Sequence, residues 1–132
     1  MAEQWNENYL IRSQDKRKQY MAQFEEIKKK LPSQVLELHT KSLHDGEVLI
    51  FSSSESTITL IIDGTGVGWY ETNVKLTFSD VEKCSIPEQL EGSWWLYDEI
   101  YKTETGFELH VLFDCPLCEL MIQARELKIE TV

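Results

Sequence analysis

Three cysteines, three histidines and a dense run of aromatic and acidic residues are the parts of this 132-residue sequence that could do chemistry. Cys115-Pro116-Leu117-Cys118 places two thiols at the spacing of a redox pair or of half a tetrahedral metal site. A redox pair needs a following helix to lower its thiol pKa, and here an apparent strand, Glu119 to Ala124, follows. A closed zinc site needs four ligands, so Cys84 and one histidine would have to complete it. The motif therefore reads as a hairpin turn, with a Cys-based metal or redox protein kept as one alternative. His44-Asp45 has the composition of a metal-binding pair, but His39 and His110 belong to no HExxH-like pattern, and Asp45-Gly46 reads as a turn before a strand. No metal and no cofactor is expected.

Gly64-Thr65-Gly66-Val67-Gly68 has the glycine density of a phosphate loop. Such a loop must feed a helix whose N-terminus holds the anion, whereas a residue pattern of period two follows here. Asp63-Gly64 is accordingly expected to turn a hairpin. No GxSxG surrounds any serine, so no catalytic residue is assigned and a non-enzymatic role is favoured. A small hydrolase or ligand-binding enzyme would draw on acids near Asp98 and Glu99 together with His110.

The densest feature is Ser93-Trp94-Trp95-Leu96-Tyr97-Asp98-Glu99-Ile100-Tyr101. Regular alternation puts Trp94, Leu96, Asp98 and Ile100 on one face of a strand and Trp95, Tyr97, Glu99 and Tyr101 on the other. One set is expected to fill the core. The other, drawn from Trp94, Trp95, Tyr97, Asp98, Glu99 and Tyr101, is the candidate interaction patch, because aromatic anchors beside charged groups are what protein interfaces use.

The elements that must position these residues follow from periodicity. Tyr20, Phe24, Ile27 and Leu31 recur on one face of a helix expected from about Ser13 to Lys30, which Pro32 ends. Trp5 and Tyr9, one turn apart, extend this helix or form a short turn ahead of it. Ser33 to His39 is expected to form a second, short helix capped by Ser33. From Asp45 the period becomes two: Ile58, Leu60, Ile62; Val74, Leu76, Phe78; Phe107, Leu109, Val111, Phe113; then Leu120, Ile122 and Leu127, Ile129. Turn residues between these runs leave no room for crossover helices, so the strands pair antiparallel. The expectation is one α+β domain spanning residues 1–132. It comprises a helical head over residues 1–40 and a β region over residues 45–132, with the head covering an antiparallel sheet of six or seven strands, curled or sandwich-like.

Charge bounds the partners. Thirteen Lys and Arg stand against 23 Asp and Glu, a formal net charge of -10. The first 31 residues carry a net +2 and the remaining 101 a net -12. That field repels phosphate backbones and anionic lipid, so neither nucleic acid nor a membrane is an expected partner, and a basic protein suits it better. Three cysteines cannot all pair within the chain, and the first ten residues show no charged start followed by an apolar run, which points to the cytoplasm.

Leu43-His44-Asp45-Gly46-Glu47-Val48, Ser93 to Tyr101 and Glu108-Leu109-His110-Val111-Leu112 together resemble a group of uncharacterised bacterial domains. In these a helical head precedes an antiparallel β domain opening on a similar His-Asp step. The likeness spans about residues 31–131. Among characterised families it is most similar to small acidic immunity proteins of bacterial toxin systems, which implies a protein that neutralises a partner by binding it. The head here is shorter and the Cys115 to Cys118 segment is an insertion. The resemblance carries over no active site.

Overall fold

In a computed structural model, the structure describes residues 18–41, 43–65 and 70–132. Helix α1 occupies residues 18–27 and tightens into a 3-10 turn at Lys28–Lys30. Its apolar stripe is used as the spacing requires: Tyr20, Phe24 and Leu31 are buried and Ile27 is half-buried. Glu25 pairs with Lys28 one turn on, at 2.7 Å. Trp5, Tyr9 and the expected helix start at Ser13 lie outside the described residues.

Helix α2, Ser33–Thr40, buries Val35 and Leu38. The capping expectation is corrected: Pro32 holds the N-cap position, its carbonyl accepting the Leu36 N–H at 3.1 Å, and no side chain caps the helix. Proline's preset φ, here -57°, with ψ 147°, starts the helix without help from Ser33, which becomes its first residue.

Eight strands follow among the described residues: β1 Val48–Ser54, β2 Thr57–Ile62, β3 Val74–Ser79, β4 Lys83–Ser85, β5 Trp94–Lys102, β6 Phe107–Asp114, β7 Cys118–Ala124 and β8 Glu126–Thr131. The expected sheet of six or seven strands is corrected to two four-stranded sheets, ordered β1-β2-β3-β8 and β4-β7-β6-β5, with every pairing antiparallel. Strand β4 has three exposed residues and no apolar alternation, so nothing in its composition announces it. Partition into two sheets is equally silent, because inward-facing residues alternate in the same way whichever sheet a strand joins.

The alternating apolar residues face one another across the two sheets in a single core, where Phe78 meets Phe107 with ring centroids 6.3 Å apart. Two junctions join the sheets. Arg125 alone separates β7 from β8, so the chain leaves one sheet and enters the other within a residue. Opposite, Glu47 bridges Trp94; Val48 donates its N–H to the Ser93 carbonyl and accepts from the Gly92 N–H, both at 2.8 Å. Gly106 lies so close to the β7–β8 corner that a Cβ there would stand 2.1 Å from the Ala124 carbonyl oxygen.

The buried residues of the helical head join the core, and the head also reaches the edge strands of both sheets. The Gln34 side-chain oxygen accepts the Ile129 N–H of edge strand β8 at 2.8 Å, and the Tyr20 hydroxyl accepts the Ile100 N–H of edge strand β5 at 2.9 Å. Each bond satisfies an outward donor that has no neighbouring strand. No helix among the described residues is long and apolar enough to cross a membrane.

Candidate functional site

Strand β5 carries the aromatic and acidic run, and a bulge decides which way each residue points. Trp95 pairs with Phe113 and Tyr97 with Leu112, so Leu96 is the extra residue on the β5 side. An inserted residue resets the period-two alternation. The two faces expected from regular alternation are thereby corrected: Trp95, Asp98 and Ile100 turn inward, while Tyr97, Glu99 and Tyr101 share the outer face. Trp95 is 0% exposed and meets Phe113 edge to face at 5.6 Å, whereas Trp94 is 48% exposed opposite Asp114. The six residues of the predicted patch therefore divide between core and surface.

Asp98 faces the interior and is fully engaged. Its Oδ1 accepts the Trp95 indole N–H at 3.2 Å and its Oδ2 lies 3.1 Å from His39 Nδ1, with the Asp98 side chain only 5% exposed. A buried carboxylate needs such donors, and tryptophan and histidine supply them. The Tyr20 hydroxyl stands 3.4 Å from the same His39 nitrogen, and the Phe24 ring lies 4.2 Å from the imidazole. Burial pushes the Tyr20 hydroxyl pKa up; the bond from Ile100 opposes the rise, and the Asp98 and Glu99 charges reinforce it. An open cavity of about 410 Å³ lies over this network, lined by Tyr20, Met21, His39, His44, Leu96, Tyr97, Asp98 and Glu99.

His39 is the residue that sequence reasoning passed over. A signal existed: Val35 and Leu38 form the buried side of α2, and His39 follows Val35 by four positions, which sets it at the edge of that face. Its partner on β5 was beyond reach of any local pattern. His44 is placed by contacts with the bulge and with its neighbour. Its Nδ1 donates to the Leu96 carbonyl of the bulge at 2.6 Å, and its Nε2 lies 3.4 Å from Asp45. Asp45 adopts φ 71° and Gly46 donates to the Leu43 carbonyl, so this step is a turn leading into β1.

The outer face of the β5–β6–β7 sheet gathers a second polar group. His110 sits opposite Glu99 on β5; its Nε2 is 2.7 Å from Glu108 and its Nδ1 3.0 Å from Glu119. Two carboxylate acceptors favour the protonated imidazole, which alone can donate from both nitrogens. Burial pulls the His110 pKa down, but the bonds to Glu108 and Glu119 outweigh it and the net shift is upward. Tyr101 stands perpendicular to the imidazole at 5.6 Å and donates its hydroxyl to Glu99 at 2.9 Å. Glu108, Glu119 and Tyr101 thus meet the His110 imidazole on a half-exposed face, with Glu99 opposite it on β5.

Cys115 and Cys118 flank the β6–β7 turn and Cys84 lies on β4; all three thiols are free. Burial raises the Cys118 thiol pKa, with the Ser93 hydrogen bond pulling against it, which is the opposite of what a reactive thiol needs. Among the described residues no group of three or more His, Cys, Asp or Glu is arranged to hold a metal ion. In the glycine-rich loop the Asp63 carboxylate accepts the Thr65 hydroxyl at 2.6 Å and N–H at 3.0 Å, which lowers its pKa; residues 66–69 lie outside the described part.

No curated protein matches the chain. The family model described as "Protein of unknown function (DUF4085)" matches residues 1–124, so the match includes the helical head as well as the β region. The chain belongs to the DUF4085 family.

Proposed function

We propose that this protein is a non-catalytic, acidic protein-binding module, an immunity or regulatory protein that engages a basic partner through the outer face of β5, β6 and β7. One observation carries the reading: Glu108 and Glu119 both bond His110, and Glu99, opposite it on β5, holds the Tyr101 hydroxyl, on a half-exposed sheet face. The acids supply long-range attraction for a cationic surface, and the tyrosines supply contact area at small entropic cost. A net charge of -12 on residues 32–132 adds a field that speeds encounter with such a partner. The compartment that suits this role is the cytoplasm.

The test compares the wild type with a variant carrying Glu99→Gln, Glu108→Gln and Glu119→Gln as bait in the native host. A basic protein retained by the wild type, lost from the variant, and bound in vitro with an affinity that falls as salt rises supports the reading. Equal retention by both baits, or salt-insensitive binding, overturns it.

A second reading, a small hydrolase or ligand-binding enzyme, is favoured by the His39–Asp98 pair lining an open cavity. A carboxylate bonded to one imidazole nitrogen orients the ring and leaves the other for proton transfer. This moves the histidine in that reading from His110 to His39: activity would disappear in His39→Ala and persist in His110→Ala.

A further inference from the structure

We infer that the outer edge of β1 from Phe51 to Ser54 accepts an extended, basic segment of a partner protein as an added antiparallel strand. The inference rests on the partner-binding reading above but uses a different surface.

Among the described residues strand β1 ends its sheet, with β2 as its one neighbour in the ladder. Its outward backbone groups can be followed one by one. Val48 spends both of its groups on the Gly92 and Ser93 segment, which runs beside it next to the isolated Glu47–Trp94 bridge. The β1–β2 register then slips at Leu49, so the next outward residue is Phe51. There the partner segment has turned away, and the Phe51 N–H is taken by the Glu91 carboxylate at 2.9 Å. A carboxylate stands where a strand carbonyl would be. Antiparallel alternation makes Ser53 outward-facing as well, beyond the reach of Glu91. Ser52, Ser53 and Ser54 are exposed, with small side chains that leave the backbone accessible.

The surroundings define the occupant. A groove of about 490 Å³ runs beside the edge, lined by Phe51, Pro87, Glu88, Leu90, Glu91 and Pro116 among others, with no Lys or Arg in its walls. On the other side of the strand Ile50 is 49% exposed. An added strand would continue the line of residues 92–94 and replace the Glu91 carboxylate on the Phe51 N–H with a main-chain carbonyl. It would send basic side chains toward Glu88 and Glu91 and apolar ones beside Ile50. Main-chain bonds provide affinity and alternate side chains provide specificity, as in other strand-addition complexes.

The probe is a synthetic octapeptide of alternating lysine and valine, compared with the same sequence N-methylated on alternate residues, which keeps its charges but loses its outward donors. The full chain is used throughout, with amide exchange and chemical shifts followed by NMR. Strand addition predicts about tenfold slower exchange at Ser53, about tenfold weaker binding of the methylated peptide, and a similar loss in Ser53→Pro, whose ring removes an outward N–H without touching the β1–β2 ladder. Equal affinity of the two peptides overturns the inference even if Ser53→Pro fails to fold, and so does absence of binding. If the shifts instead gather at Glu99, Glu108 and Glu119, strand addition fails while the partner-binding reading survives.

Discussion

His39 on α2 and Asp98 on β5 stand 59 positions apart in the chain and meet side chain to side chain at 3.1 Å. With the Tyr20 hydroxyl on the Ile100 N–H, this contact fastens the helical head to the edge of the second sheet. Both contacts are polar and partly or wholly shielded from water, so each should be measurable by removing one partner.

Asp98→Ala leaves the Trp95 indole N–H and the His39 imidazole without their acceptor. A loss of about 3 kcal/mol in urea unfolding is expected, the range for breaking a buried charged contact on one side. Asp98→Asn, which keeps one acceptor, should lose less. Equal losses in the two variants would mean that volume, not hydrogen bonding, sets the role of Asp98.

Tyr20→Phe removes only the hydroxyl over Ile100. The expected cost is about 1–2 kcal/mol, together with faster hydrogen exchange at the Ile100 amide. Unchanged exchange there would show that water or another group satisfies this edge donor.

The two adjacent tryptophans should behave oppositely. Trp95→Ala opens a cavity in the core and is expected to cost about 3–5 kcal/mol. Trp94→Ala lies at the surface and should stay within about 0.5 kcal/mol of wild type. In the native protein, an aqueous quencher should reach the Trp94 indole and spare that of Trp95. A reversal of either pair of results would contradict the bulge at Leu96.

His110 makes a pH-dependent contribution. Its folded pKa lies above the unfolded value, so its ion pairs with Glu108 and Glu119 stabilise most below about pH 6.5 and the contribution fades as pH rises through the folded pKa. His110→Gln should therefore be less stable than wild type by about 0.5–1 kcal/mol at pH 6, with the gap narrowing by pH 9. Parallel pH profiles of the two proteins would count against a charged imidazole.

Gly106→Ala should cost several kcal/mol, on the order of 3 kcal/mol, because the added Cβ meets the Ala124 backbone at the corner where the chain changes sheets. A near-neutral effect in thermal unfolding would show that this corner can relax.

The apolar spacing of Tyr20, Phe24 and Leu31, and the alternation from Val74 to Phe78 and from Phe107 to Phe113, made the helical head, the antiparallel strands and much of the core legible from the chain alone. Periodicity reports which side of an element meets apolar surroundings, and that property is local. The Cys115 to Cys118 turn and the Asp45-Gly46 turn were readable for the same reason, since their residues restrict their own backbone.

What only the tertiary structure decided is non-local. The division of eight strands into two sheets depends on which chain segments meet, and β4 exists only because β7 offers it an edge. The bulge at Leu96 brought Trp95 and Asp98, opposite in regular alternation, onto the same inward face, because a single unpaired residue shifts everything beside it. His39 acquired its role from a carboxylate brought to it by folding. Composition set the net charge; where acids, tyrosines and a strand edge stand on the surface is a consequence of packing, in which residues distant along the chain supply each other's missing hydrogen-bond partners.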